Sequence, residues 1–153
     1  SSVEERGARG ASATHFVSSP NECIVLDVNF AKEKTSEKGC YLEMEKGAGL
    51  SFSSMTSRML TEKIYAFAKN NNIPCQQIVE TQSTGTNADV ISGVGDGIRC
   101  AVLSIPIRYM HSSVETASLK DVDLCAQLLF EYILNSGKES LCVPVYDYKE
   151  EQK

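Results

Sequence analysis

Glu4 and Glu5 stand side by side near the amino terminus, after Val3 and ahead of the turn-forming run Arg6 to Ala11. Neighbouring side chains on an extended strand point to opposite faces. The pair is therefore poorly placed to act as the facing carboxylates of a glycosidase. At a strand end the two acids suit a different division of labour. One binds a metal ion, and the other takes a proton from a water that the metal acidifies. The plainer reading is a pair of solvated charges. Three further places carry side chains able to do chemistry. Asp27 sits in the apolar run "IVLDV", where a carboxylate is costly to bury unless it is paired or bound to a metal. On pattern alone, a strand that ends at Leu26 and leaves Asp27 in solvent is slightly favoured. His111 follows an apolar strand in "IPIRYMHSSVE", where open α/β sheets gather functional groups. Its plainer reading is a histidine packed at a strand end. "STGTNADVI" offers Gly85, Thr86, Asn87 and Asp89 as a turn for a polar ligand, or Thr86 or Asn87 as a helix N-cap. His15 has no acidic companion at ligand spacing and reads as structural.

The elements that must position these groups are legible as patterns. Residues 7–18 read as a short helix and 21–29 as a buried strand. "EKTSEKG" is a polar loop, and "KGAGLSFSS" turns from glycine-rich to strand-like. Met55 to Asn72 forms a long helix with Met55, Met59, Leu60, Ile64, Phe67 and Ala68 on one face. "PCQQIVET" is a strand, and "STGTNADVISGVGDG" is a turn-rich loop with one helical turn. "IRCAVLSIPI" is apolar throughout, as a central strand is. Ser118 opens the last helix, and with Asp121 it fits a capping box. Val122, Cys125, Ala126, Leu129 and Ile133 supply its core stripe, and Gly137 stops it. The tail 138–153 either adds an edge strand through Val143 and Tyr146 or stays loose. Strands alternating with helices predict an α/β domain, a layered sheet flanked by helices.

Bulk properties exclude several classes. The 153 residues carry a net charge of −5, with no basic stripe to suit nucleic acid or an anionic membrane. No apolar run approaches the roughly 20 residues that span a bilayer. The cysteines at 23, 40, 75, 100, 125 and 142 form no Cys-x-x-Cys pair, so a zinc-ribbon or thioredoxin-type site has no support. Cys23, Cys100 and Cys125 read as small buried hydrophobes in a reducing compartment, which predicts a cytoplasmic protein.

"VEERGARGA", "IVLDV", "KGAG", "GTNADVI" and "IPIRYMHSSVE" occur in an order and spacing that resemble a known set of enzymes. Over residues 3–136 the chain resembles the C-terminal half of the dinuclear-metal aminopeptidases. That set includes tetrahedral, deblocking and glutamyl aminopeptidases, some labelled endoglucanase or cellulase. The resemblance implies a partial catalytic domain of the phosphorylase/hydrolase-like di-metal peptidases over residues 1–137. It implies Glu4 as general base and Glu5, Asp27 and His111 as metal ligands, with Glu5 and His111 sharing one metal. Thr86, Asn87 and Arg108 are the implied substrate-binding residues. The implied cofactor is a pair of divalent ions, zinc or cobalt or manganese, for which imidazole and carboxylate are suitable donors. The implied substrate is a peptide cut at its free N-terminus.

The departures are informative. The family's upstream histidine and bridging aspartate precede the "VEE" motif and fall outside this chain. Asn87 stands where the family usually has aspartate, and Arg6 where it often has an apolar residue. The expectation is an incomplete site, poorly active alone, in a homo-oligomer or beside a complementing N-terminal half. The competing expectation is a non-catalytic fragment or descendant with a structural role. A glycoside hydrolase is the weakest, since it rests only on the endoglucanase label.

Overall fold

The computed structural model describes residues 7–18, 20–33, 36, 39 and 41–136. Glu4, Glu5, Cys40, Gly137, Cys142 and the tail lie outside the described residues, as does the side chain of His15. The elements run α1 (Arg9–Ser18), β1 (Glu22–Phe30), β2 (Ala48–Phe52), α2 (Arg58–Asn70), β3 (Cys75–Val79), α3 (Ala88–Ile91), β4 (Arg99–Arg108), β5 (Thr116–Ala117) and α4 (Leu119–Ser136).

β4 is apolar along its length because both of its faces are covered. Ala101 and Leu103 pack with Leu60, Ile64 and Ala68 of α2 and Cys125, Leu128 and Tyr132 of α4. Cys100 and Val102 turn the other way, onto Ala11 of α1 and Ala88 and Ile91 of α3. The sheet order is β1-β4-β2-β3, with β5 on the last residues of β4. β1 runs parallel to β4 and β3 parallel to β2, while β2 and β4 are antiparallel. The sheet is thus mixed. Asn29 of β1 donates to the Glu80 carboxylate, just past β3, over 2.8 Å. β1 and β3 are the two ends of the strand path, and this side-chain bond reaches from one to the segment that follows the other.

Three local expectations need correction. The second helix begins at Arg58, not Met55, because Ser57 caps it by accepting the Leu60 N–H. Met55 and Met59 are exposed, and the buried stripe is Leu60, Thr61, Ile64 and Ala68. On α4 the buried stripe is Asp121, Cys125, Leu128 and Tyr132, one position round from the expected one, and Val122 and Ile133 are exposed. Asp121 does not serve a capping box either. Its two oxygens accept the N–H groups of Glu45 at 2.7 Å and Gly47 at 2.9 Å, in the segment that leads into β2.

That segment is a strap. Leu42 pairs with Ala31 at the end of β1, and Glu43 exchanges hydrogen bonds with the Gln76 side chain of β3. Gly47 sits at φ +86° with Pro74 O 2.0 Å from where a Cβ would stand, so only glycine fits. Asp121 is 0% exposed and is the acceptor that fixes this strap to α4. Asp121→Ala leaves two N–H groups without their charged acceptor. It is expected to cost about 3 kcal/mol of unfolding free energy in a urea titration; a loss under about 1 kcal/mol would show that the strap holds without it.

Candidate active site at the ends of β1 and β4

Asp27 lies inside β1, not past its end: the strand continues to Phe30, and Asp27 pairs in register with Ser104 of β4. It is half-buried, and its Oδ1 accepts the Val28 N–H at 2.8 Å. Alternation puts Asn29 on the same face. The strand does not stop at Leu26 because the β4 partner continues to Ile107.

Beyond β4 the chain makes a tight turn that carries His111. Tyr109 and His111 both have left-handed backbones, φ 60° and 65°, a conformation that non-glycine residues hold only when the surroundings fix it. Two carboxylates do so. Glu33 accepts the Tyr109 N–H at 2.9 Å, and Glu115 accepts the His111 N–H at 2.7 Å. Arg108 Nε donates to Lys32 O at 3.1 Å. The segments that follow β1 and β4 are therefore tied together, and the His111 ring is left exposed at that end. Glu115 lies within the quoted "RYMHSSVE" motif. Glu33 has no signal in the sequence, because its partner is 76 residues away.

Ser104, beside Asp27, buries its hydroxyl with no partner among the described residues. Glu80 accepts from Asn29 and from Ser51 Oγ, each at 2.8 Å, while its Oε2 is buried without a partner among the described residues. Burial pushes the Glu80 carboxyl above its usual range, and the Ser51 and Asn29 hydrogen bonds oppose that shift.

Thr86 and Asn87 stand elsewhere. Asp89 accepts Thr84 N at 2.9 Å, Thr84 Oγ1 at 2.7 Å and Gly85 N at 2.8 Å, so the loop's donors serve its own carboxylate. Thr86 Oγ1 accepts the Ala88 N–H at 3.2 Å, and Asn87 occupies the N-cap of α3 without a side-chain capping bond. Asn87 lines a cavity of about 280 Å³ with Cys23 and Ile98, at the amino-terminal end of β4, whereas Arg108 closes the other end. Asp27 lies within β1, three residues short of its end, and His111 lies three residues past the end of its parallel partner β4, while Asn87 and Arg108 stand at opposite ends of β4.

Among the described residues no three His, Cys, Asp or Glu side chains group closely enough to hold a metal ion. Asp27 and His111 offer one carboxylate and one imidazole, donors that suit zinc, cobalt or manganese. Glu5 lies outside the described residues.

A mixed sheet with helices on both faces defines an α/β domain. The chain belongs to the M42 glutamyl aminopeptidase family, whose profile matches residues 1–128. It is 39% identical over 120 residues to the lysyl aminopeptidase of Pyrococcus furiosus, covering 78% of this chain and 35% of that protein. Its fold is similar to the TET aminopeptidase of Thaumarchaeota archaeon SCGC AB-539-E09, with a TM-score of 0.75 and 31% identity, over 84% of this chain and 37% of that one. It is also similar to the Pyrococcus horikoshii TET1 peptidase, with a TM-score of 0.64 and 26% identity, over 82% and 36% of the two chains. The chain thus spans little more than a third of the length of these relatives. Among the described residues no helix is long and apolar enough to cross a membrane.

Glu80→Gln tests the polar cluster. Glutamine keeps both accepted hydrogen bonds through Oε1 and removes the buried charge. The folded-state pKa of Glu80 is raised, so its ionised form costs stability at neutral pH. That cost disappears as pH falls through the carboxylate range. The variant is expected to melt higher than the parent at pH 7, with the difference vanishing in acid. A variant that melts lower at pH 7 would show that the charge itself is needed.

Proposed function

We propose that this chain is the carboxyl-terminal portion of the catalytic domain of a metal-dependent aminopeptidase, and that residues 1–137 carry its share of the site. The observation that supports the reading most strongly is the M42 family match over residues 1–128, in a chain that carries Asp27 on β1 and His111 just past its parallel partner β4. Two divalent ions, zinc or cobalt or manganese, would supply the charge that polarises a scissile carbonyl and acidifies a water. Glu5, Asp27 and His111 would hold them. Glu4 would accept the proton of the attacking water and return it to the leaving amine. The substrate class is a peptide with a free N-terminus, the class that the name of the Pyrococcus furiosus relative indicates for that protein.

The same reading includes a partner. Leu26, Val28 and Phe30 are exposed on the sheet face that carries α2 and α4, and Val122 and Ile133 of α4 are exposed with them. Apolar surface of this kind marks an interface. It supports a complementing portion of the family's length or assembly into a homo-oligomer; the Pyrococcus horikoshii TET1 peptidase can assemble into a tetrahedron or a large octahedral shell. The four described cysteines are free, which supports a cytoplasmic location.

The test is hydrolysis of an aminoacyl-anilide panel by the protein that carries the family's full metal site. Glu4→Gln is expected to keep its metal and to lose about 10²-fold or more in kcat. Unchanged turnover would remove Glu4 as the base. No turnover in the parent protein with both ions bound would favour the non-catalytic role.

A further inference from the structure

Cys23 and Cys100 play no part in the proposed peptidase chemistry, yet the sheet sets the two thiol-bearing residues side by side. They are register partners on the parallel strands β1 and β4. Adjacent strands lie about 4.8 Å apart, inside the Cα separation of about 4.4–6.8 Å that a disulfide spans. Strand alternation sends both side chains to the α1/α3 face, where both join the same apolar cluster. The two thiols lie near enough for each to shift the other's titration. Their surroundings differ. Cys100 is 1% exposed. Cys23 is half-buried and forms part of the wall of the cavity of about 280 Å³ lined also by Ala11, Thr14, Pro20, Asn87 and Ile91.

We infer that Cys23 and Cys100 form a dithiol modification site, in which Cys23 reacts with a small hydroperoxide entering the cavity and Cys100 resolves the product as an inter-strand disulfide. The asymmetry of the pair supports these roles. The Cys100 thiol beside it lowers the Cys23 pKa to about 7 against the effect of burial. The same contact, with burial, pushes the Cys100 thiol up. Cys75 and Cys125 are pushed up by burial, to about 12 and about 11. Only the thiolate is nucleophilic, so Cys23 is set apart from the other described cysteines.

The steps balance. The Cys23 thiolate attacks one peroxide oxygen; an S–O bond forms, the O–O bond breaks, and the leaving oxygen departs as water (or alcohol) after taking up a proton. Cys100 then attacks the sulfenic sulfur. The S–S bond forms, the S–O bond breaks, and hydroxide leaves as water with the proton that Cys100 gives up. Two thiols lose two electrons and two protons, and the peroxide is reduced by the same two electrons.

The experiment is hydrogen peroxide titration of the whole chain at pH 7, with non-reducing peptide mapping by mass spectrometry. The expected product is a Cys23–Cys100 linked peptide. Cys100→Ser should stop the reaction at a dimedone-reactive Cys23, and Cys23→Ser should leave Cys100 unmodified. In the untreated chain, iodoacetamide should label Cys23 about tenfold faster than Cys75 or Cys125. Phenylarsine oxide, which bridges neighbouring thiols, should bind the parent and lose that binding in either serine variant, with thermal melts confirming that both are folded. Linkage of Cys23 to a different cysteine would overturn the proposal. So would a Cys23 no more reactive than Cys75, or arsenical binding that survives both substitutions.

Discussion

The parallel register between β1 and β4 is the constraint on which the arrangement depends. It runs unbroken from Glu22 opposite Arg99 to Phe30 opposite Ile107. A slip by one residue would turn every side chain of β1 to the other face. Asp27 and Asn29 would leave the face they share, and Cys23 would leave Cys100. The register is fixed from both sides. Val25 must meet the cluster of α1 and α3, and Ile24 must meet the core under α2 and α4.

The same constraint explains how polar groups are carried without loosening the core. The interior of β4 is apolar except at Ser104, which lies next to Asp27. The chemistry-bearing residues otherwise sit where strands end: Asn29 late in β1, Glu80 past β3, His111 past β4. The turn after β4 holds Tyr109 and His111 in left-handed conformations only because Glu33 and Glu115 accept their N–H groups. That is strain held by neighbours, at the turn that carries His111. Asp121 does similar work at long range by anchoring the strap before β2.

Much of the architecture was legible in the sequence because it rests on short-range pattern. The apolar run of β4 and the period of α2 through Leu60, Ile64 and Ala68 need only neighbouring residues. The failures share a cause. Val122 and Ile133 are as apolar as Leu128, so hydrophobicity alone could not phase α4. What sets the phase is Asp121, buried because its acceptors' partners are Glu45 and Gly47, 76 and 74 residues away. The strand end at Leu26 fails in the same way: a carboxylate ends a strand on pattern, but continuous pairing with β4 carries β1 past Asp27. The Glu80–Asn29 bond joins residues 51 apart in the sequence, which no local pattern encodes.

The measurement that tests the central claim most directly is cobalt uptake by this chain, read by elemental analysis after dialysis, for the parent and for His111→Ala. The account gives Asp27 and His111 only a share of a two-ion site. It predicts weakly held cobalt below two ions per chain, reduced further by the substitution. Two tightly held ions per chain, or uptake indifferent to His111→Ala, would contradict it.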